Sequence, residues 1–263
     1  MNVITSKDND NIKKIKKLKE KKYRKQEGKY IIEGSKLIEE AIKENAKIEQ
    51  IIVCEDCITE ATNSNLLYEI AKYDCIYVSE KVFKTLTDVS TPRGMLAVIK
   101  KKDNKKEVNY NEDMIVILDG VQDPGNMGTI LRTIDSAGLS QVIVTKEVVD
   151  AYSPKVVRST MGAIFRVNII ETEDKLKMIK EIKKHKFNVA ATSLEASKSI
   201  YDVEFNKIAI VIGNEANGVS QEVLDLADTK MIIPMPGRTE SLNASVATGI
   251  LIYEYVRNHV KNN

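Results

Sequence analysis

The stretch MIVILDGVQDPGNMGTILRTI, residues 114–134, sets the architecture. It opens on an unbroken apolar run, Met114 to Leu118, which suits a strand buried on both faces. Gly120, Pro124 and Gly125 then break the run, and from about Asn126 the apolar residues return with helical spacing. A buried strand passing through a tight loop into a helix is the building unit of a parallel α/β sheet. The alternation continues downstream, where 142–145, 165–169, 188–191, 208–212 and 230–233 read as further strands. Helices fall between several of them, and a long final helix is expected from about Asn243 to Val260.

Upstream the texture differs. Nine of the 12 glycines and four of the five prolines lie between Asp119 and Gly249, so the earlier half is punctuated more sparsely. It reads as short alternating elements: a helix over 8–26, a strand at 30–32, and a helix capped by Ser35 with Leu37, Ile38, Ala41 and Ile42 on one face. A strand over 48–53, helices over 64–72 and 79–86, and strands over 75–78 and 95–100 complete it. Residues 1–100 therefore form a small α/β domain, 101–111 (KKDNKKEVNYN) a polar linker, and 112–263 the larger parallel-sheet domain.

Hydrophobic residues at 43% and charged residues at 30% describe a globular chain and exclude a disordered one. No apolar run approaches the roughly 20 residues needed to span a bilayer. The Lys-rich start lacks the apolar core of a signal peptide, so no membrane partner and a cytoplasmic location are expected. Cys54 and Cys57 have the spacing of zinc and redox sites. His185 and His259 lie far off in sequence, however, and Cys54 continues the apolar run 51–53, so a buried strand-end thiol is the better reading and no metal is expected. Residues 1–107 hold 23 Lys+Arg against 18 Asp+Glu, and the excess concentrates in residues 1–30, with 11 basic and 4 acidic side chains. Such a run attracts phosphates, or it is a solvated helix face docked through Ile12, Ile15 and Leu18; the two readings are compatible.

Three blocks carry chemistry. In the first, Asp123-Pro124-Gly125-Asn126-Met127-Gly128 opens a helix at a strand's carboxyl end, where ligands of open α/β sheets gather. Arg132, one to two turns in, could reach a phosphate there. The glycine spacing fits neither a dinucleotide fingerprint nor a P-loop. In the second block a strand runs into Gly213-Asn214-Glu215, presenting an amide and a carboxylate at the sheet edge, with Gly213 allowing close approach of a ligand and Ser220 capping the next helix. In the third, Ile233-Pro234-Met235-Pro236 leads to Ser241-Leu242-Asn243, with Ser241 a good N-cap for the last helix. Each block alone is matched by an ordinary turn or cap.

Together and in this order they resemble motifs one, two and three of the SpoU/TrmH ribose methyltransferases, within the SPOUT superfamily. The first hundred residues, most clearly Tyr30-Ile31-Ile32-Glu33-Gly34, are similar to the L30e-like RNA-binding domain that precedes the catalytic domain in many members. The resemblance implies a deep trefoil knot in the parallel-sheet domain and S-adenosylmethionine bound in it by Thr192, Gly213 and Ile233 through Met235. Leu242 and Ala247 would pack the adenosine side. It also implies a homodimer through the C-terminal domain, with the catalytic pocket near the subunit interface. Methyl transfer to a ribose 2′-hydroxyl of RNA, with 23S ribosomal RNA favoured as the substrate, is the implied activity. Arg132, Asn126, Glu215, Ser241 and Asn243 are the implied catalytic set.

Methyl transfer of this kind is an in-line displacement that needs alignment and loss of the hydroxyl proton, and no metal. A guanidinium stays protonated in proteins, so Arg132 reads better as phosphate clamp and hydroxyl positioner than as base. Two alternatives stand beside this: a transfer-RNA 2′-O-methyltransferase, and a non-catalytic RNA-binding protein working through the basic N-terminal unit. A nucleotide-dependent oxidoreductase would want a glycine fingerprint followed by an acidic residue, which the sequence lacks.

Overall fold

The computed structural model describes residues 3–58, 64–102 and 107–259. Part of the expected linker and Val260 of the expected last helix lie outside these. The chain divides into two compact units, Met1–Asp103 with Asp150–Phe165, and Asn104–Val149 with Arg166–Asn263. The sequence predicts a second domain unbroken from residue 112; residues 150–165 instead cluster with the first unit.

The first unit contains β1 (Val3–Ile4), α1 (Asp10–Lys17), α2 (Lys21–Glu27), β2 (Lys29–Glu33), α3 (Ser35–Lys43) and β3 (Ile48–Val53). After these come α4 (Ser64–Ile70), β4 (Cys75–Val78), α5 (Glu80–Leu86) and β5 (Met95–Lys100), and the returning segment adds α7 (Pro154–Ser159). The strands form a mixed sheet in the order β1-β4-β3-β5-β2, with β5 antiparallel to both β2 and β3. Ile12, Ile15 and Leu18 dock onto it with Ile52, Phe83 and Leu96 in one buried cluster.

Two sequence expectations are corrected here. The helix expected over 8–26 is two helices, because Arg24 folds back and donates from Nη1 to the Leu18 carbonyl at 2.8 Å, closing the end of α1. The same guanidinium, 3% exposed, makes 2.9 and 2.7 Å bonds from Nε and Nη2 to Asp150 Oδ2. One member of the basic run is thus structural and ties residues 150–165 into this unit. Tyr152 adds to the tie by packing its ring 5.0 Å from that of Tyr30. At α3, Ser35 is the first helical residue and Gly34 holds the cap position at φ 99°, a conformation that favours glycine. Cys54 is fully buried at the end of β3, its Sγ 2.9 Å from that of Cys57. Burial and the Cys57 contact push its thiol up to about 12.

The second unit holds β6 (Met114–Asp119), α6 (Pro124–Ser136), β7 (Gln141–Thr145), β8 (Asn168–Thr172), α8 (Lys175–Lys184) and β9 (Asn188–Thr192). It continues with β10 (Lys198–Ser199), β11 (Ile208–Gly213), α9 (Gln221–Leu226), β12 (Thr229–Ile232) and α10 (Ala244–His259). Its seven strands are all parallel, in the order β10-β12-β9-β11-β6-β7-β8. Strands β6, β7 and β11 are buried along their whole length, as their unbroken apolar runs require. Ile115, Ile117, Val189 and Val211 line one face with α8 and α9, while α6 and α10 pack against each other. The strand expected over 165–169 begins at Asn168, because Ala163–Phe165 form a 3₁₀ turn that belongs to the first unit.

Candidate active site

Parallel strands put all their carboxyl ends on one edge, so the site is determined by register. Asp119 pairs with Gly213, Val211 with Ala191, and Met231 with Thr192. The loops leaving β6, β11, β9 and β12 therefore emerge side by side; those after β6, β11 and β12 carry the three blocks, and β9 ends at Thr192.

The loops after β6 and β11 are fastened together at three levels. Nearest the sheet, Asp119, 5% exposed, accepts from Ser220 N at 2.9 Å and Ser220 Oγ at 2.6 Å, and Lys175 Nζ reaches its other oxygen at 3.2 Å. Next, Asn214 Nδ2 donates to the Gly120 carbonyl at 2.8 Å, while its Oδ1 accepts from Ala216 and Asn217 N–H at 3.0 and 3.1 Å. At the top, Glu215 accepts from the N–H groups of Gln122 and Asp123, both at 3.1 Å, and from Asn126 Nδ2 at 2.9 Å. Burial pushes the Glu215 carboxyl up, but the bonds from Asn126 and the backbone N–H groups outweigh it and hold it below the usual carboxylate range.

Glu215 sets the orientation of the two amides beyond it. A carboxylate only accepts, so Asn126 must turn its NH₂ to Glu215 and its Oδ1 outward. That Oδ1 accepts from Asn243 Nδ2 at 2.8 Å. Asn243 Oδ1, fixed in turn, accepts from Ser245 N, Val246 N and Ser245 Oγ at 2.9, 3.3 and 2.6 Å. It is therefore Asn243 that caps α10, and the expected cap Ser241 lies exposed two residues upstream. One residue from each block, Glu215, Asn126 and Asn243, forms a single oriented chain.

The other expected residues take more varied positions. Arg132 is exposed on α6 and has no hydrogen-bond or ion-pair partner among the described residues. Six residues separate it from Asn126, about 9 Å along the axis and about 120° around it, so it does not join the chain. Thr192, at the end of β9, donates from Oγ1 to the Val211 carbonyl at 3.1 Å. Ile233, Met235 and Ala247 are half-buried, and Leu242 is exposed. Gly213 is required by the fold itself. A Cβ there would collide with the backbone of Gly218 and Val219, so the close approach it permits is made by the chain's own turn, closed by reciprocal 2.9 Å bonds between Asn214 and Gly218. The expected capping hydroxyl of Ser220 donates to Asp119 instead. Asp119 and Lys175 escape the sequence reading; an acid closing an apolar strand is the signal that could have flagged the first.

The three blocks and the sheet that carries them have relatives. Residues 113–253 match the SpoU rRNA Methylase family, more than half the chain. The chain belongs to that family. Residues 9–97 match the MRM3-like substrate binding domain. The chain is 32% identical over 254 residues to the 23S rRNA (guanosine(2553)-2′-O)-methyltransferase RlmP of Bacillus subtilis, covering 96% of this chain and 98% of RlmP. It is 28% identical to the mitochondrial rRNA methyltransferase 3 of Homo sapiens, covering 90% and 69% of the two chains. An AdoMet-bound rRNA methyltransferase from Sinorhizobium meliloti superposes with a TM-score of 0.86 at 29% identity over 99% of both chains. This SpoU chain is an RNA methyltransferase, and S-adenosylmethionine is its methyl donor. Among its described residues no helix is long and apolar enough to cross a membrane, and no group of three or more His, Cys, Asp and Glu side chains is placed to hold a metal.

Proposed function

We propose that this chain methylates a ribose 2′-hydroxyl of ribosomal RNA of the large subunit, in the cytoplasm. The observation that carries the reading is the oriented chain Glu215–Asn126–Asn243, which joins all three blocks at the carboxyl edge of the parallel sheet. RlmP, which acts on 23S rRNA, is similar along nearly the whole of both chains, and this favours ribosomal over transfer RNA. A non-catalytic RNA-binding protein would have no use for so specific a network.

S-adenosylmethionine supplies a methyl group activated on a sulfonium. The residues beside β12 suit it. Ile233 and Met235 are half-buried apolar side chains at a strand exit where Pro234 and Pro236 keep the backbone extended, and Leu242 and Ala247 stand across from them in sequence at the start of α10. Helix α10 packs on α6, whereas β12 lies beyond β9 and β11 in the sheet. The segment 233–243 must therefore cross back over the ends of those strands, which supports a trefoil knot. The mixed sheet of the first unit, with its basic helices α1 and α2, supports the L30e-like RNA-binding assignment. Glu215 is held ionised by bonds it already accepts, so it positions Asn126 and is a poor proton acceptor. Arg132 clamps a phosphate beside the target ribose and orients its hydroxyl. Calorimetry tests the enzyme reading against the binding-protein one: S-adenosylmethionine binds the wild-type chain at one site per subunit, and absence of binding removes the proposal.

The chain functions as a homodimer through α10. Val246 and Tyr253, seven residues apart on one side of that helix, are 51 and 50% exposed, and Leu242 just before its start is 37% exposed. Ser136, one turn after Arg132 on α6, meets Tyr253 Oη at 3.3 Å, so Arg132 flanks the same surface. A second copy covering this stripe would bring its own site close to Arg132. Val246→Glu should convert the dimer to monomer in sedimentation and reduce methyl transfer in parallel; a monomeric wild type would overturn the assignment.

A further inference from the structure

The first unit contains a cavity of about 600 Å³, within the range of small-ligand sites, that none of the three blocks explains. It opens between α1, α2 and the amino ends of β3 and β4. Ile15, Leu18 and Val98, all at most 5% exposed, form an apolar floor. Tyr23 of α2 contributes a half-buried ring to its wall.

Its polar side is already oriented. Gln50 Nε2 donates to Asp74 Oδ2 at 2.7 Å, and Gln50 Oε1 accepts from Asn11 Nδ2 at 2.8 Å. With that amide fixed, one N–H of Gln50, one N–H and the Oδ1 of Asn11, and the second oxygen of Asp74 remain as adjacent donors and acceptors. Such a set matches the edge of a nucleobase. At the rim, Lys14 and Lys17 have no ion-pair partner among the described residues, while Lys29 is paired with Glu49 at 2.6 Å. Lys17 Nζ sits 5.3 Å and Lys22 Nζ 5.9 Å from the centre of the Tyr23 ring. Both ammonium groups lie over the ring, and a base stacking on Tyr23 would displace them toward its own phosphate, the pairing of aromatic face and cation that single-stranded RNA uses. A solvated charge run would need neither the cavity nor the fixed amides.

We propose that this cavity receives one unstacked nucleotide of the RNA substrate, its base on Tyr23 and the apolar floor, its edge read by Asn11, Gln50 and Asp74, and its phosphates on Lys14 and Lys17. The inference rests on the RNA reading of the proposed function and adds where the first unit grips the substrate. The test uses the full-length protein and an unmodified transcript of large-subunit ribosomal RNA, with binding measured against salt. Tyr23→Ala should weaken binding about tenfold or more, whereas Tyr23→Phe, which keeps the stacking face, should stay within about twofold. Lys14→Ala with Lys17→Ala should lower the slope of log K against log salt by about two. All three should keep the wild-type circular dichroism and thermal unfolding, which shows that they fold, and should bind S-adenosylmethionine as the wild type does. In turnover the Tyr23→Ala effect should appear in KM for RNA and not in kcat. If the wild type methylates the transcript but Tyr23→Ala and the lysine pair bind it unchanged, the cavity is not an RNA site and the methyltransferase reading stands. A wild type that transfers no methyl group to the transcript overturns the RNA reading and this inference with it.

Discussion

Glu215→Gln is expected to lower kcat for methyl transfer by about 100-fold, the scale on which small misplacements of a reacting group are felt. The wild-type carboxylate accepts three donors through two oxygens. Glutamine keeps one acceptor oxygen and turns an NH₂ toward N–H groups that need an acceptor. Whichever way the amide sits, either Gln122 or the pair Asp123 and Asn126 loses its partner. If Asn126 flips to compensate, its NH₂ meets that of Asn243, and the cap of α10 loosens with it. The damage should reach the loop before α10, so S-adenosylmethionine affinity should weaken too. The pH dependence has a definite sign. Because the Glu215 pKa is lowered in the folded chain, the stability it contributes is present above the ordinary carboxylate range and disappears as pH falls through the folded value. Wild-type stability should therefore fall more steeply in acid than that of Glu215→Gln, measured by thermal unfolding across the acid limb. Equal activity in the two proteins would remove Glu215 from the site.

Arg132→Ala is expected to abolish measurable transfer, a loss of about 1,000-fold, with S-adenosylmethionine affinity and thermal stability unchanged. Arg132 is exposed and has no partner among the described residues, so its removal should cost the fold no more than about 0.5 kcal/mol, as for ordinary surface positions. An arginine kept for function rather than packing should show that separation. Arg132→Lys should recover little, because a single ammonium cannot reproduce a two-pronged grip on a phosphate. Single-turnover methyl transfer measured beside calorimetric cofactor binding reads both halves. Retained activity in Arg132→Ala would place the substrate contact elsewhere.

The parallel sheet is legible in the sequence because burial on both faces writes strands as continuous apolar runs, and 114–118 and 208–212 lie within the observed strands. The breaks are not legible. Arg24 ends α1 through a carbonyl six residues back and an acid 126 residues on, and nothing local in a lysine-rich stretch distinguishes it from its neighbours. For the same reason the return of residues 150–165 to the first unit is invisible. At the site, Asn126, Glu215 and Asn243 can each be named from motif order, but the chain linking them spans separations of 89 and 117 residues and depends on strand register. Ser241 suggests itself as the cap of α10 because hydroxyls and amides cap equally well on paper. The structure chooses Asn243, whose side chain can face the helix N–H groups with its oxygen and Asn126 with its nitrogen. Asp119 draws no attention in sequence, and only the parallel pairing with Gly213 shows why it holds Ser220.

Ribose methylation of large-subunit RNA by this chain can be checked by mapping 2′-O-methyl groups, nucleotide by nucleotide, in ribosomal RNA. Three strains are compared: one with the chain, one without it, and one with Arg132→Ala in its place. One ribose in large-subunit RNA should be methylated with the wild type and unmodified in both other strains, and purified protein with S-adenosylmethionine should restore it on unmodified RNA. An unchanged methylation map, or a lost methyl that sits on a base rather than a ribose, would refute the assignment.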